Sequence, residues 1–362
     1  MGFKIKTKDL NSVFEEMSNT YKIVAPTVVV GAGRSSETDV IRYEEVKRVE
    51  DIEFNKKSDY SFKEALLPMN QTILFFNQDE CKEPVVNEKP RIIFLRSCDL
   101  HAVKRIDDIY LRNGFEDPYY KRLKEGVKFI LIGCENSFDS CYCVDMGTNK
   151  VDNYDAYLKV SDGYAYLDIK DEELKKYFIE VPQMEMEVNP DFVTENKVKI
   201  NIPENLSLDV IDSKIWDEYS ERCIACGRCN FVCPTCTCNS MQDIYYSDNE
   251  NVGERRRVWA GCQVPGFTTI AGGHEFRQPN GQKVRFRVMH KFYDYKKRWG
   301  YHMCIGCGRC SDICPEYIDV PTCVNKLQDA MDEVNANDKQ WVYTISFKDI
   351  RSNWTYRYRI YI

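Results

Sequence analysis

Cys223-Ile-Ala-Cys226-Gly-Arg-Cys229-Asn-Phe-Val-Cys233-Pro234 returns, little changed, as Cys304-Ile-Gly-Cys307-Gly-Arg-Cys310-Ser-Asp-Ile-Cys314-Pro315. Both have the C-x2-C-x2-C-x3-C-P spacing of [4Fe-4S] sites, in which three closely spaced thiolates take three corners of a cube and the fourth cysteine ligates the other cube. The expected sets are therefore crossed: Cys223, Cys226, Cys229 and Cys314 for one cluster, and Cys304, Cys307, Cys310 and Cys233 for the other. Gly227, Gly306 and Gly308 allow a tight backbone path around the sulfurs, and the prolines turn the chain away. Four thiolates also suit zinc, but zinc spacing rarely packs four cysteines so tightly and then repeats them with Pro appended.

Outward from the motifs, the 70-residue spacer between Cys233 and Cys304 is far longer than in compact two-cluster ferredoxins and is similar to the helical two-cluster domains of fumarate and succinate oxidoreductases. It holds Cys236, Cys238 and Cys262, read as buried thiols packed around the clusters in preference to further metal ligands; Cys323 and Cys81 have the same status. Residues 251 to 303 carry eleven Lys or Arg and three Asp or Glu, against a net charge of -7 for the whole chain. This is either a solvated basic face or a docking surface, with Arg255, Arg256, Arg257, Lys296, Lys297 and Arg298 expected to face an acidic partner.

Upstream, helix-like and strand-like runs alternate. Lys8 to Met17 puts Leu10, Val13, Phe14 and Met17 on one helical face, while Thr27–Val30, Thr72–Phe76, Arg91–Leu95 and Lys128–Ile132 are β-rich. Tyr157–Val160 and Tyr164–Ile169, joined by Ser161-Asp-Gly163, read as a hairpin. Cys98, in Arg96-Ser-Cys98-Asp99-Leu-His101, and Cys134 each follow an expected strand, which places them at one edge of a parallel sheet, where sites form. With Cys141 and Cys143 they suffice for a third [4Fe-4S] cluster; the alternative is scattered thiols with a catalytic or structural pair. Gly31-Ala-Gly33 lacks the third glycine of a dinucleotide fingerprint, Ser36 standing in its place, and reads as a turn. His101, His274, His290 and His302 form no hydrolytic or zinc-binding pattern.

The reading is thus an α+β protein: an N-terminal α/β-type domain over 1–205, a mainly helical ferredoxin-like domain over 206–335 with helices expected at Leu208–Glu221 and Val324–Val334, and an aromatic, basic tail over 336–362. Seventeen cysteines in 362 residues are too many for an ordinary cytosolic protein and too odd in number for an all-disulfide scheme, so metal-ligating sulfur in a reducing cytoplasm is expected. No targeting segment is visible, no window approaches eighteen apolar residues, and the acidic balance argues against nucleic acid; neither a membrane nor a nucleic-acid role is expected.

The two motifs, Cys236-Thr-Cys238, Trp259-Ala-Gly-Cys262, Ala271-Gly-Gly-His274, the Arg96–Ala102 stretch and the Cys141–Gly147 stretch together resemble the iron-sulfur electron-transfer subunits of anaerobic sulfite reductases over residues 1 to 335. The same elements resemble, less closely, the iron-sulfur β subunits of cytosolic hydrogenases and sulfhydrogenases; Thr38–Tyr43 and Lys63–Pro68 tip the likeness toward the sulfite enzyme. The resemblance implies no substrate site in this chain. It implies an electron carrier between a flavoprotein subunit, holding FAD and oxidising NADH, and a siroheme subunit that reduces sulfite to sulfide.

Overall fold

The computed structural model describes residues 2–35, 37–85, 88–246 and 251–336. The expected tail from Trp341 to Ile362 lies outside them. Strands Gly2–Lys6 (β1), Lys22–Val29 (β2), Val40–Glu45 (β3), Arg91–Leu95 (β6), Lys128–Ile132 (β7), Ala156–Ser161 (β8), Tyr164–Ile169 (β9) and Met184–Met186 (β10) form an eight-stranded sheet in the order β10-β1-β9-β8-β7-β6-β2-β3. Its centre, β2-β6-β7-β8, is parallel and its margins antiparallel. The parallel strands are continuous apolar runs because both faces are covered. Ile92 and Phe94 pack with Leu10, Phe14 and Met17 of helix α1 (Thr7–Met17) on one face. Ile93 and Leu95 meet Leu66 of helix α2 (Lys63–Leu66) and Val103 and Ile106 of helix α3 (Ser97–Leu111) on the other. The β8–β9 hairpin turns through Asp162 and Gly163, both at positive φ, and Gly31-Ala-Gly33 lies in the connection between antiparallel β2 and β3, a turn as expected.

A second sheet draws on both halves of the chain. Asn70–Phe76 (β4) and Cys81–Lys82 (β5) pair with Asn239–Tyr245 (β11) and Gly253–Trp259 (β12) in the order β11-β12-β4-β5. The second half is therefore not mainly helical, and part of the long spacer is this β-hairpin. The expected helix over Leu208–Glu221 is broken into 3-10 turns, Leu208–Asp212 and Lys214–Trp216, before a short helix Asp217–Arg222. Ser207 and Ser213 explain the breaks, because each side chain caps a new turn by accepting the amide of a residue two positions on. The last expected helix is present over 327–336, after a turn of helix at Val320–Asn325. Between the motifs, Asn280–Met289 continues through a π-helical turn at His290–Asp294 into Tyr295–Trp299, ended by Gly300 in the left-handed region. Trp216, Tyr219, Val284, Val288, Phe292, Ile313 and Leu327 form the core around which the cysteine motifs wrap.

Candidate metal centre

The described cysteines are free thiols, and twelve of them gather in three sets. Cys223, Cys226, Cys229 and Cys314 line one recess, although Cys314 belongs by sequence to the other motif. Burial first, and only then the neighbouring thiols, raises the Cys229 thiol to about 12, while Arg287 pulls against this. A thiol so placed is neutral unless a cation or metal takes up the charge of its thiolate.

The second set lies deeper. Cys304 is within electrostatic reach of Cys310, and Cys307 of both Cys310 and Cys233. Tyr142 bridges to this set from the N-terminal half, its hydroxyl 3.2 Å from Cys304 Sγ. Cys233 and Cys236 share a proton unequally: the Cys236 thiol donates to Cys233 and holds it well below the usual thiol range, with burial opposing and Lys291 and Arg287 assisting.

The third set is Cys98, Cys134, Cys141 and Cys143, which line a recess with Lys57, Arg96, Asn196 and Arg309 and with Cys307 of the second set. Its origin is topological. Parallel neighbours β6 and β7 end side by side, so Cys98, in the first turn of α3, and Cys134, two residues past β7, meet at the carboxyl edge of the sheet. Arg96, buried at 4% exposure, donates to the Gly133 carbonyl at 2.8 Å and to Cys134 Sγ at 3.3 Å. The Asn196 side chain donates to Cys143 Sγ at 3.8 Å and accepts the Val144 amide at 2.8 Å.

The three sets form a row. Cys141 Sγ donates to the Cys307 carbonyl at 3.6 Å, and Cys98 feels the charge of Cys307, so the third set adjoins the second. Cys229 likewise feels Cys310, so the second adjoins the first.

Buried cations without carboxylate partners accompany the row. Lys63, 3% exposed, donates to the Cys236 carbonyl at 2.8 Å and sits 4.0 Å from the centre of the Trp259 ring. Lys291, also 3% exposed, donates to Thr235 Oγ1 at 2.7 Å; burial opposes its charge, but Cys233 and Cys236 outweigh burial and raise its pKa. Arg287 donates to the Cys229 carbonyl at 3.4 Å, and its buried Nε has no partner. Buried ammonium and guanidinium groups require compensating negative charge, and the nearby source is sulfur. Thiolates gathered around an anionic iron-sulfur group supply it, so the donor sets, the recesses and the cations all fit such a group. Among the described residues no three His, Cys, Asp or Glu side chains converge tightly enough to share one metal ion; the first and third sets instead each line a recess.

Of the off-motif cysteines, Cys262 and Cys323 are buried beside the row as expected, whereas Cys81 is exposed on the edge strand β5 and is not a buried thiol at a cluster. Cys262 receives the Asn230 amide at 3.4 Å, the same group that reaches Cys236 Sγ at 3.7 Å. Cys323 lies on the wall of the first recess. The basic segment is neutralised within the chain at its start, while Lys296, Lys297 and Arg298 are exposed and have no carboxylate pair among the described residues. Arg255 pairs with Asp243, Arg256 with Glu254, and Arg257 with Asp117, so these three do not form the free cationic face expected of them.

Residues 222–318 match the family model described as a 4Fe-4S dicluster domain. Over 333 residues the chain is 27% identical to sulfhydrogenase 2 subunit beta of Pyrococcus furiosus, a span covering 88% of this chain and 97% of the relative. No solved structure matches the chain significantly. The chain thus carries a 4Fe-4S dicluster domain inside a longer likeness to a sulfhydrogenase subunit. Its relative is a sulfhydrogenase component, which backs the hydrogenase-type likeness better than the sulfite reductase one. No helix among the described residues is long and apolar enough to cross a membrane.

Sequence reading overlooked the buried cations. Val284, Arg287, Val288, Lys291 and Phe292 follow the spacing of one helical face, and all are buried. Two cations on an otherwise apolar stripe are the signal that could have found them.

Proposed function

We propose that the chain relays single electrons along three iron-sulfur clusters within a multisubunit oxidoreductase. The ligands are Cys223, Cys226, Cys229 and Cys314 for the first, Cys304, Cys307, Cys310 and Cys233 for the second, and Cys98, Cys134, Cys141 and Cys143 for the third. When bound, such clusters accept and release one electron at a time, which joins a two-electron donor to a distant reduction. The observation that carries this reading is the row itself, with Cys98 and Cys141 beside Cys307 and Cys229 beside Cys310. The chain's own residues hold the row: Asn196, Tyr142 and Arg96 donate to or share protons with ligand sulfurs, and Lys63, Arg287 and Lys291 balance their charge.

The catalytic partner we favour is of the sulfhydrogenase kind, on the strength of the relative that spans nearly the whole chain, with a flavoprotein as the other neighbour. A sulfite-reducing siroheme partner is the second reading, favoured by the likeness of Thr38–Tyr43 and Lys63–Pro68 to sulfite reductase subunits. Anaerobic purification with iron, sulfide, zinc, nickel and siroheme quantified tests both. Iron and sulfide near twelve each per chain are expected, with nickel in the co-purifying complex. Siroheme without nickel would select the second reading, and zinc in place of iron would refute the relay.

A further inference from the structure

The second cysteine motif is covered by the chain's own N-terminal half through specific contacts. The Tyr142 amide donates to the Gly306 carbonyl at 2.8 Å, Thr148 Oγ1 to the Ile305 carbonyl at 2.6 Å, and Lys57 Nζ to the Cys307 carbonyl at 3.0 Å. Arg309 forks onto both carboxylate oxygens of Asp99 at 2.7 and 2.9 Å. Ile305, Cys307 and Arg309 are accordingly buried, at 2%, 7% and 2% exposure.

The same three positions of the first motif are Ile224, Cys226 and Arg228, and all three are exposed. Ile224 is 57% exposed, and Tyr317, between Glu316 and Ile318 on the rim of the same recess, is 85% exposed. The Arg228 side chain has no hydrogen-bond or ion-pair partner among the described residues. A single exposed isoleucine means little. Here three equivalent positions turn together from buried to bare, over the recess of the first cysteine set.

We infer that this bare face is the docking surface for another subunit of the complex, one that carries the next redox centre and presents a carboxylate to Arg228 as Asp99 is presented to Arg309. The internal repeat says what such a cover consists of. Where the motif is covered, the covering element offers a carboxylate to the arginine, an apolar surface to the isoleucine and backbone partners to the loop. It also brings its own cysteines, Cys98, Cys141 and Cys143, against the second set. Arg255, Arg256 and Arg257 are occupied by carboxylates of this chain, whereas Arg228 is an exposed guanidinium at a cysteine set with no side-chain partner among the described residues. The inference rests on the relay proposed above.

The test uses the complex purified anaerobically through a tag on this chain, then separated and reassembled from its subunits with wild-type or Arg228→Glu chain. Arg228→Glu is expected to weaken association with one cofactor-bearing subunit at least tenfold, since unpairing a desolvated interfacial charge raises dissociation. Iron content and the spectrum of the reduced chain should match wild type. A benzophenone side chain placed at position 224 should cross-link to that same subunit beside an Asp or Glu, and reversing that carboxylate to Lys should restore binding to the Arg228→Glu chain. Unchanged association of an iron-loaded variant would overturn the inference alone, as would a cross-link only to a chain without a redox cofactor. Iron-free wild-type protein would instead overturn the relay, and the inference with it.

Discussion

The motif beginning at Cys223 and the motif beginning at Cys304 share a spacing and almost a sequence, yet one is skin and the other is core. Arg228 stands in solvent, whereas Arg309 is buried in a forked pair with Asp99 and donates to the Ser58 carbonyl at 3.0 Å. Ala225 and Gly306 hold the same left-handed turn, at φ 55 and 68. Ala225 carries its Cβ there, whereas a Cβ at Gly306 would lie 2.6 Å from the Tyr142 carbonyl group. Cysteine spacing therefore dictates how the backbone wraps a cube, while the residues between the cysteines record what the rest of the protein lays on top.

The sharpest way to break this comparison is to remove both arginines in turn. Arg309→Met strands the buried Asp99 carboxylate and is expected to cost about 3–5 kcal/mol, whereas Arg228→Met should change stability by no more than about 0.5 kcal/mol. Thermal or denaturant unfolding of the two variants, with clusters bound, measures the difference; equal effects would show that the two copies are not set apart by burial. Next in size is Cys314→Ala. It should empty the cluster held by Cys223, Cys226 and Cys229 and leave the one beside Cys307, read as the loss of one cluster's iron and of its signal in the reduced protein. Loss confined to the cluster of its own motif would disprove the crossing.

Gly306→Ala is expected to destabilise by about 1–3 kcal/mol, because a side chain must be forced into a left-handed turn already filled by backbone. Ala225→Gly, at the open copy, should stay within about 1 kcal/mol of wild type. The smallest effect concerns charge. Reduction adds an electron to an already anionic site, so a buried cation favours the reduced form. Arg287→Met and Lys291→Met should each move the midpoint potential of the neighbouring clusters to more negative values, with Arg287→Lys close to wild type, in a spectroscopic redox titration.

Much of this was legible in the sequence, for physical reasons that differ by region. Arg91–Leu95 and Lys128–Ile132 were found to the residue because central parallel strands are apolar throughout and end in sharp breaks. The four-cysteine gathering at Cys98 and Cys134 followed from where those strands end. Asn239–Tyr245 was not visible as a strand, since Asn-Ser-Met-Gln-Asp-Ile-Tyr lies at the margin of a sheet with mostly solvated side chains and no alternation to detect. The arginine run at 255 to 257 misled for another reason. The carboxylate that neutralises Arg257, on Asp117, lies 140 residues away in sequence. Local charge counts carry no information about partners so remote.

The shared sheet also bears on how the protein is made. Thr72 of β4 donates to Glu254 across 182 residues of chain. At ribosomal rates of roughly 5–20 residues per second, the apolar edge around Ile73 and Phe76 waits on the order of 10–40 s for β12 to emerge. Through that interval an unpaired strand is open to wrong partners. The sulfurs around the first recess also lack Cys314 until almost the whole chain has been synthesised. A nascent chain thus holds both an unfinished sheet and an unfinished thiol ring until late in its synthesis.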